Sequence, residues 1–286
     1  YIIKLYCVHK KRGGIFLKKQ LLIGMVGTTL LLGACGNGST GNNSAEKKDV
    51  TFGEIFNKGK KVSFEVENKP DNDDHKPVKD SYVNKYIFTN DGKQTIYKGT
   101  RETTLEEIKD KSNEEILKIA KKEDEEVFNK LKNNNIDIKK IDIKNEKNFI
   151  ESEKKYPSKV KEMEKKLENN EKELEKIRKD EYESPNERPV KIKVKTDGSG
   201  NNTSNEWFFI QTNYDEDGNK NNNDKLKNTY TSYSVEHSPV EIFDDSYGWL
   251  SQNNDDPRKF LVTKVGDKVE QVKLDEPDSK YINEAK

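Results

Sequence analysis

The run Lys61-Val62-Ser63-Phe64-Glu65-Val66-Glu67 alternates apolar and polar residues without a break, the period of a strand with one face buried. A turn-rich loop follows at residues 70–77. Then Tyr82-Val83-Asn84-Lys85-Tyr86-Ile87-Phe88 and Thr95-Ile96-Tyr97 flank Asn90-Asp91-Gly92-Lys93. Asp-Gly between two such runs predicts a tight hairpin, because both residues tolerate the positive φ that the turn demands. The three runs together predict an antiparallel β-meander.

Beyond it the period lengthens. Thr104-Leu105-Glu106-Glu107 and Ser112-Asn113-Glu114-Glu115 are capping boxes, each with a hydroxyl at the helix start and a glutamate three residues on. The second opens a helix whose Ile116, Ile119, Ala120, Val127 and Leu131 lie near one face, with Asn133-Asn134-Asn135 expected to end it. Ile136-Asp137-Ile138-Lys139-Lys140-Ile141-Asp142-Ile143 then reads with strand period, and the spacer Lys140, which flips the second pair of isoleucines to the other face, predicts a bulge or turn. From about Phe149 to Tyr182 the pattern is helical and charged. Tyr156, Val160, Met163, Leu167, Leu174 and Ile177 fall on steps of four and three, with Asn170 in the slot between the two leucines. That is a heptad seam about three repeats long. It serves either a coiled coil with a partner or second copy, or a helix laid on the chain's own sheet or helix; the second reading is the stronger one at this length.

Ser184-Pro185-Asn186-Glu187-Arg188-Pro189 breaks the helix. Val190–Val194, Trp207–Ile210, Thr229–Val235, Val240–Phe243, Phe260–Val265 and Val269–Val272 then read as strands, with Gly266-Asp267 predicting a hairpin between the last two. The expected fold is α+β: an antiparallel β-meander, central charged helices including one long helix, and a second, C-terminal antiparallel β-rich region. Residues 51–183 would hold the N-terminal strands and the helical section, and 184–286 the C-terminal β-rich region.

The one stretch with a clear address lies upstream. Lys18-Lys19 precede an apolar run from Leu21 to Leu32, small residues follow, and Cys35 ends it. Charged, apolar and small segments in that order are the plan of a secretory signal, and the run is shorter than the ~20 residues that span a bilayer. Leu32-Gly33-Ala34-Cys35 resembles the lipobox of bacterial lipoproteins. The resemblance implies a diacylglyceryl group on the Cys35 thiol, cleavage just before it, and a mature chain moored to the extracytoplasmic face of the cell membrane. Residues 17–34 would be the signal peptide. Residues 35–50, opening with a Gly/Ser/Asn tract, would carry the lipid and a flexible tether. Residues 1–16 are expected to be upstream translation, since Arg12-Gly13-Gly14 is what a purine-rich ribosome-binding sequence encodes and Leu17 is a candidate non-AUG start.

Residues 1–34 hold six basic side chains and no acidic one, which leaves 47 basic against 53 acidic beyond them, a net of −6. Such a balance lacks the basic footprint of a nucleic-acid binder. Hydrophobic content of 30% against 37% charged predicts lean cores. Cys7 falls in the upstream segment set aside from the fold and Cys35 would carry lipid, so packing alone must stabilise the domain.

Candidate chemistry is sparse. Residues 213–224 place Asn213, Asp215 and Asp217 at positions 1, 3 and 5 of a loop, Gly218 at 6 and Asp224 at 12, which resembles an EF-hand calcium loop. The loop departs from that pattern at position 1 (Asn), at position 12 (the shorter Asp) and at position 8, where Lys220 replaces an apolar residue; a polar hairpin loop is the better reading. His75 among Asp71, Asp73 and Asp74 reads as a solvated loop. A serine with His237 and Asp244 can be picked from any chain this polar, and no phosphate loop or nucleophile elbow is present. Tyr230, Tyr233, Tyr247 and Trp249 form either an exposed patch or, preferably, core. No catalytic residue and no cofactor is expected.

Residues 61–122, with Tyr86-Ile87-Phe88, Asp91-Gly92-Lys93, Leu105-Glu106-Glu107-Ile108 and Glu114-Glu115-Ile116-Leu117-Lys118-Ile119-Ala120-Lys121-Lys122, resemble uncharacterised surface lipoproteins of low-GC Gram-positive bacteria of the staphylococcal and streptococcal sort. That resemblance supports location and carries no activity. The expectation is a non-enzymatic, lipid-anchored surface protein contacting a protein or cell-envelope partner, with an extracytoplasmic module for a glycan, peptide or calcium as the alternative.

Overall fold

The computed structural model describes residues 47–215, 218, 220, 230–252 and 258–285. Its elements run β1 (Asp49–Thr51), α1 (Phe52–Asn57), β2 (Lys60–Glu67), β3 (Tyr82–Asn90), β4 (Lys93–Lys98), α2 (Leu105–Ile108), α3 (Asn113–Ser152) and α4 (Pro157–Lys179). They continue as β5 (Arg188–Pro189), β6 (Ile192–Thr196), β7 (Thr203–Phe208), β8 (Thr231–Tyr233), β9 (Val235–Glu236), β10 (Val240–Ile242), β11 (Asp245–Ser251), β12 (Lys259–Lys264), β13 (Gln271–Lys273) and β14 (Glu284–Ala285). The fold is α+β.

The predicted meander is present: β2, β3 and β4 pair antiparallel, and Asp91 and Gly92 sit at φ 46° and 80° in the turn. Both capping boxes form as well. The Thr104 and Ser112 backbone N–H groups each donate to the glutamate three residues on, at 2.8 Å.

The meander does not stand apart from the C-terminal region. β12 pairs with β2, and the central sheet runs β10-β11-β12-β2-β3-β4-β5, with β9 also on β11. The sequence boundary at residue 184 is therefore crossed by one sheet. A smaller sheet, β14-β6-β7-β8, and the parallel pair β1-β13 complete the β structure.

Both faces of the central sheet are covered. One face (Phe64, Val66, Tyr86, Tyr97, Trp249, Phe260, Val262) packs under α2 and the start of α3 through Leu105, Ile108, Ile116 and Ala120. The other (Ile87, Ile96, Leu250, Leu261) meets α1 and the small sheet, where Phe52, Phe56 and Phe208 form an edge-to-face triangle with centroids 5.5 to 6.0 Å apart. Such ring pairs add ~0.5–1.5 kcal/mol each beyond their buried area. A bulge opposite Glu65 and Val66 leaves Asn84 unmatched, which is how Val83 and Tyr86 come to point at the same layer.

Several expectations are corrected. The tether expected over residues 35–50 does not extend to residue 50: Asp49 and Val50 already belong to β1, Val50 is buried, and Thr51 caps α1 by accepting from the Glu54 N–H. Asn133-Asn134-Asn135 do not end α3, and the isoleucine repeat at 136–143 is helix, not strand. The reason is tertiary: Ile136 and Ile143, seven residues apart, turn toward α4, and packing outweighs the modest penalty of asparagine and isoleucine in a helix. Gly266-Asp267 makes no hairpin between β12 and β13. Both edges of β12 are taken by β11 and β2, and β13 lies parallel to β1, burying Val269 and Val272. β11 also went unpredicted, because Ser246-Tyr247-Gly248-Trp249-Leu250 shows no clean alternation. Gly248 stands where a Cβ would meet Val272 at 2.6 Å, so only a bare backbone lets β11 pass there.

Candidate functional site

The first half of α3 is clamped to the sheet. Ile116, Ala120 and Phe128 are buried, and two carboxylates beside them catch backbone donors from the chain leaving β4. Asp124 accepts from the Lys98 N–H at 2.7 Å and from the Tyr182 hydroxyl at 2.8 Å; Glu123 accepts from the Thr100 N–H at 2.9 Å and from the Thr103 hydroxyl. Burial pushes the Asp124 carboxyl up, against the pull of those hydrogen bonds. Phe128, Tyr182 and Tyr214 close a ring cluster over this point, with centroids 4.7 to 6.4 Å apart.

Beyond Leu131 no described strand lies beneath the helix. At 1.5 Å per residue, α3 is about 60 Å long, and among the described elements its outer half is paired with α4. The heptad seam lies on α3, inside the same chain: Val160, Met163, Leu167, Leu174 and Ile177 are half-buried or buried, whereas Tyr156 at the α4 start is 56% exposed. Asn170 sits in the seam as a register lock. Its amide donates to Glu146 Oε1 at 2.7 Å, and Lys139 Nζ donates to its Oδ1 at 3.0 Å. Lys139 also pairs with Glu173 at 2.7 Å, and Lys147 with Glu171 at 2.9 Å. Sliding one helix past the other would strand the buried Glu146 carboxylate, so the polar pair selects one alignment.

The outward face of this arm is unusual for so polar a chain. Among the described residues, the exposed large hydrophobic side chains are Ile138 (55%), Ile141 (59%), Phe149 (36%), Tyr156 (56%) and Phe243 (42%). Four of the five belong to the arm. At 100° per residue, Ile138, Ile141 and Phe149 share about 80° of the α3 circumference, on a face turned away from α4.

The other candidates resolve differently. In the loop resembling a calcium site, Asn213 spends its amide on the Glu183 carbonyl at 3.2 Å, and Lys98 Nζ donates to the Asp215 carbonyl. Tyr214 bridges back to Lys220, and Gly218 turns at φ 78°. Asp217, Asp224 and Cys35 lie outside the described residues. Among those described, no group of three His, Cys, Asp or Glu side chains is placed to hold a metal ion. His237 stacks flat on Trp249 at 3.5 Å, and its Nε2 lies 2.9 Å from Ser251 Oγ, but that serine is only 1% exposed. Burial lowers the imidazole to about 4, so it is neutral at physiological pH. Tyr233, Tyr247 and Trp249 are core.

Sequence reasoning missed a pair of buried acids. Glu206 of β7 is fully buried, and its Oε2 accepts from the Asp275 N–H at 3.2 Å. Asp275, 2% exposed, accepts from the Thr51 hydroxyl at 2.8 Å, the Gly53 N–H at 2.7 Å and the Ser279 hydroxyl at 3.2 Å. Burial first, and the neighbouring Asp275 second, hold Glu206 well above the usual carboxylate range. The pair pins the start of α1 to the small sheet. No local sequence signal marks it, since the partners are about 70 and 220 residues apart.

No family model, no curated protein and no solved structure matches this chain.

Proposed function

We propose that the protein is a non-enzymatic lipoprotein held by Cys35 at the outer face of the cell membrane, and that the α3–α4 arm is where it meets a protein partner. The reading of location rests on the leader and its Leu32-Gly33-Ala34-Cys35 end. Two acyl chains on one thiol anchor durably where a single chain binds only marginally. No helix among the described residues is long and apolar enough to cross a membrane.

The observation that carries the partner surface is that four of the five exposed large apolar side chains among the described residues, Ile138, Ile141, Phe149 and Tyr156, lie on the α3–α4 arm. Leaving four large apolar side chains in water has no folding benefit, and an apolar stripe along a rigid helix pair is the shape that receives an amphipathic helix. The occupant we assign is such a helix from a partner protein.

Two measurements test this. Metabolic labelling with radiolabelled palmitate should mark the wild-type chain and not Cys35→Ala; an unlabelled wild type removes the anchor. Cross-linking on intact cells should give a discrete adduct that Ile138→Ser/Ile141→Ser abolishes and Phe243→Ser retains. Adducts that survive the arm variant refute the surface, and an adduct of twice the chain mass identifies a second copy in place of a partner.

A further inference from the structure

At the free end of the central sheet, Arg188 of β5 lies with its guanidinium carbon 4.8 Å from the centre of the Phe209 ring, and Lys191 Nζ lies 5.6 Å from the same ring. Tyr230 meets Phe209 edge-on at 5.6 Å and 60°, so the two rings make an angled apolar wall. Nearby cations are matched: Lys93 pairs with Glu187 at 3.0 Å and Lys193 with Glu284 at 2.5 Å. Arg188 and Lys191 are not, and no carboxylate among the described residues lies within ion-pair reach of either.

Two buried polar atoms beside them are also unsatisfied. Arg188 Nε is a donor without an acceptor, and Gln94 Oε1 is an acceptor without a donor, in a side chain 1% exposed. These residues face each other in the β4–β5 ladder. Gln94 is held in place from its other end, where its Nε2 donates to the Phe209 carbonyl at 2.8 Å. A desolvated guanidinium with no counter-charge and an unfilled acceptor beside it is costly unless something bridges them. Burial alone pulls the Arg188 guanidinium down to about 10, which leaves it cationic at neutral pH.

We propose that Arg188, Lys191 and Gln94 form a binding site for an oxyanion, carboxylate or phosphate, carried on a ring or short apolar group that lies against Phe209 and Tyr230. Guanidinium offers a planar fork to such an anion, Lys191 adds a point charge, and Gln94 Oε1 accepts from a hydroxyl or acid proton on the same ligand. The site shares no residue with the arm and stands or falls independently of it.

The test uses the full-length chain with benzoate and phenyl phosphate as probes and benzyl alcohol as the uncharged control. The chain has five arginines, so the side-chain Nε–H of Arg188 is readily followed by NMR. Either anion should move that signal saturably at millimolar concentration, and which one binds tighter identifies the natural oxyanion. Arg188→Lys, which keeps charge and stem but loses the fork, should weaken binding about tenfold. Lys191→Gln, at an exposed position that cannot unfold the domain, should weaken it several-fold, with Arg178→Gln on the arm unchanged. The proposal is overturned if neither anion shifts the Arg188 signal, if benzyl alcohol binds as well as benzoate, or if Lys191→Gln binds like the wild type.

Discussion

Replacing Glu206 by glutamine should change how the stability of this protein depends on pH, more than how stable it is. Glu206 and Asp275 are buried side by side, and burial first, with the neighbouring Asp275 second, holds the Glu206 carboxyl in its protonated form. Glu236, whose carboxylate accepts from the Leu274 N–H at 2.9 Å, adds further negative charge nearby, and among the described residues no lysine or arginine side chain hydrogen-bonds to either acid of the pair. In the unfolded chain Glu206 ionises near its ordinary 4.5. A folded-state value raised above that means the native state holds a proton that the unfolded state has released. The stabilisation is complete below 4.5 and is lost as pH climbs toward the folded value, at about 1.4 kcal/mol per pH unit for one proton. His237 works in the opposite sense between about 4 and 6.5, because the native ring resists protonation. The clean window therefore opens at pH 6.5. From 6.5 upward, for as long as the native state keeps the Glu206 proton, the wild type should lose stability relative to Glu206→Gln, whose amide donates to Asp275 whatever the pH. Urea unfolding at half-unit steps measures both slopes. Parallel slopes for the two proteins above pH 6.5 would refute a buried proton on Glu206.

Three further outcomes follow from the packing. Gly53→Ala places a Cβ 2.3 Å from the Asp275 carboxylate and should destabilise the domain by about 1–3 kcal/mol in urea, where an unchanged midpoint would mean that the Asp275 side chain gives way freely. Asn170→Ala leaves Glu146, among the described residues, with only the exposed Lys166, at 3.5 Å, and should cost about 1–3 kcal/mol locally; hydrogen exchange should rise along α4 and the outer half of α3 while the central sheet keeps its protection. Gly92→Ala meets both a φ of 80° and the Asn57 side-chain oxygen at 2.8 Å, and should lower the thermal midpoint by several degrees, where an unchanged midpoint would mean the Asp91-Gly92 turn relaxes freely.

What was legible in this sequence was whatever depends on near neighbours. The 61–67 alternation, the Asp91-Gly92 turn and the two capping boxes are local devices, and each appears in place. The heptad seam was legible too, down to Asn170 as the odd polar member, because a repeat of seven is written along one helix. Its partner was not. The strip on α3 that receives it is Lys139, Asp142, Ile143 and Glu146, whose mixture of charge and isoleucine carries the period of no single element, and the two isoleucine triplets imitate strands. The long helix exists because α4 lies against it.

The same reasoning explains the central sheet. A strand covered on both faces loses its alternation, so Phe260-Leu261-Val262 still reads as a strand by its apolar run while Tyr247-Gly248-Trp249 does not. Which strands pair is decided by two layers at once, and β12 joins β2 across almost two hundred residues because Leu261 and Val262 serve opposite cores. Buried polar groups are the extreme case. Glu206, Asp275, Gln94 and Arg188 look in sequence like any of the chain's many polar positions. They acquire chemical meaning only when the fold removes water from them, and the features that set this surface apart from a generic charged one are those that folding leaves incompletely satisfied: apolar side chains outside, on the arm, and polar atoms inside, at the β4–β5 edge.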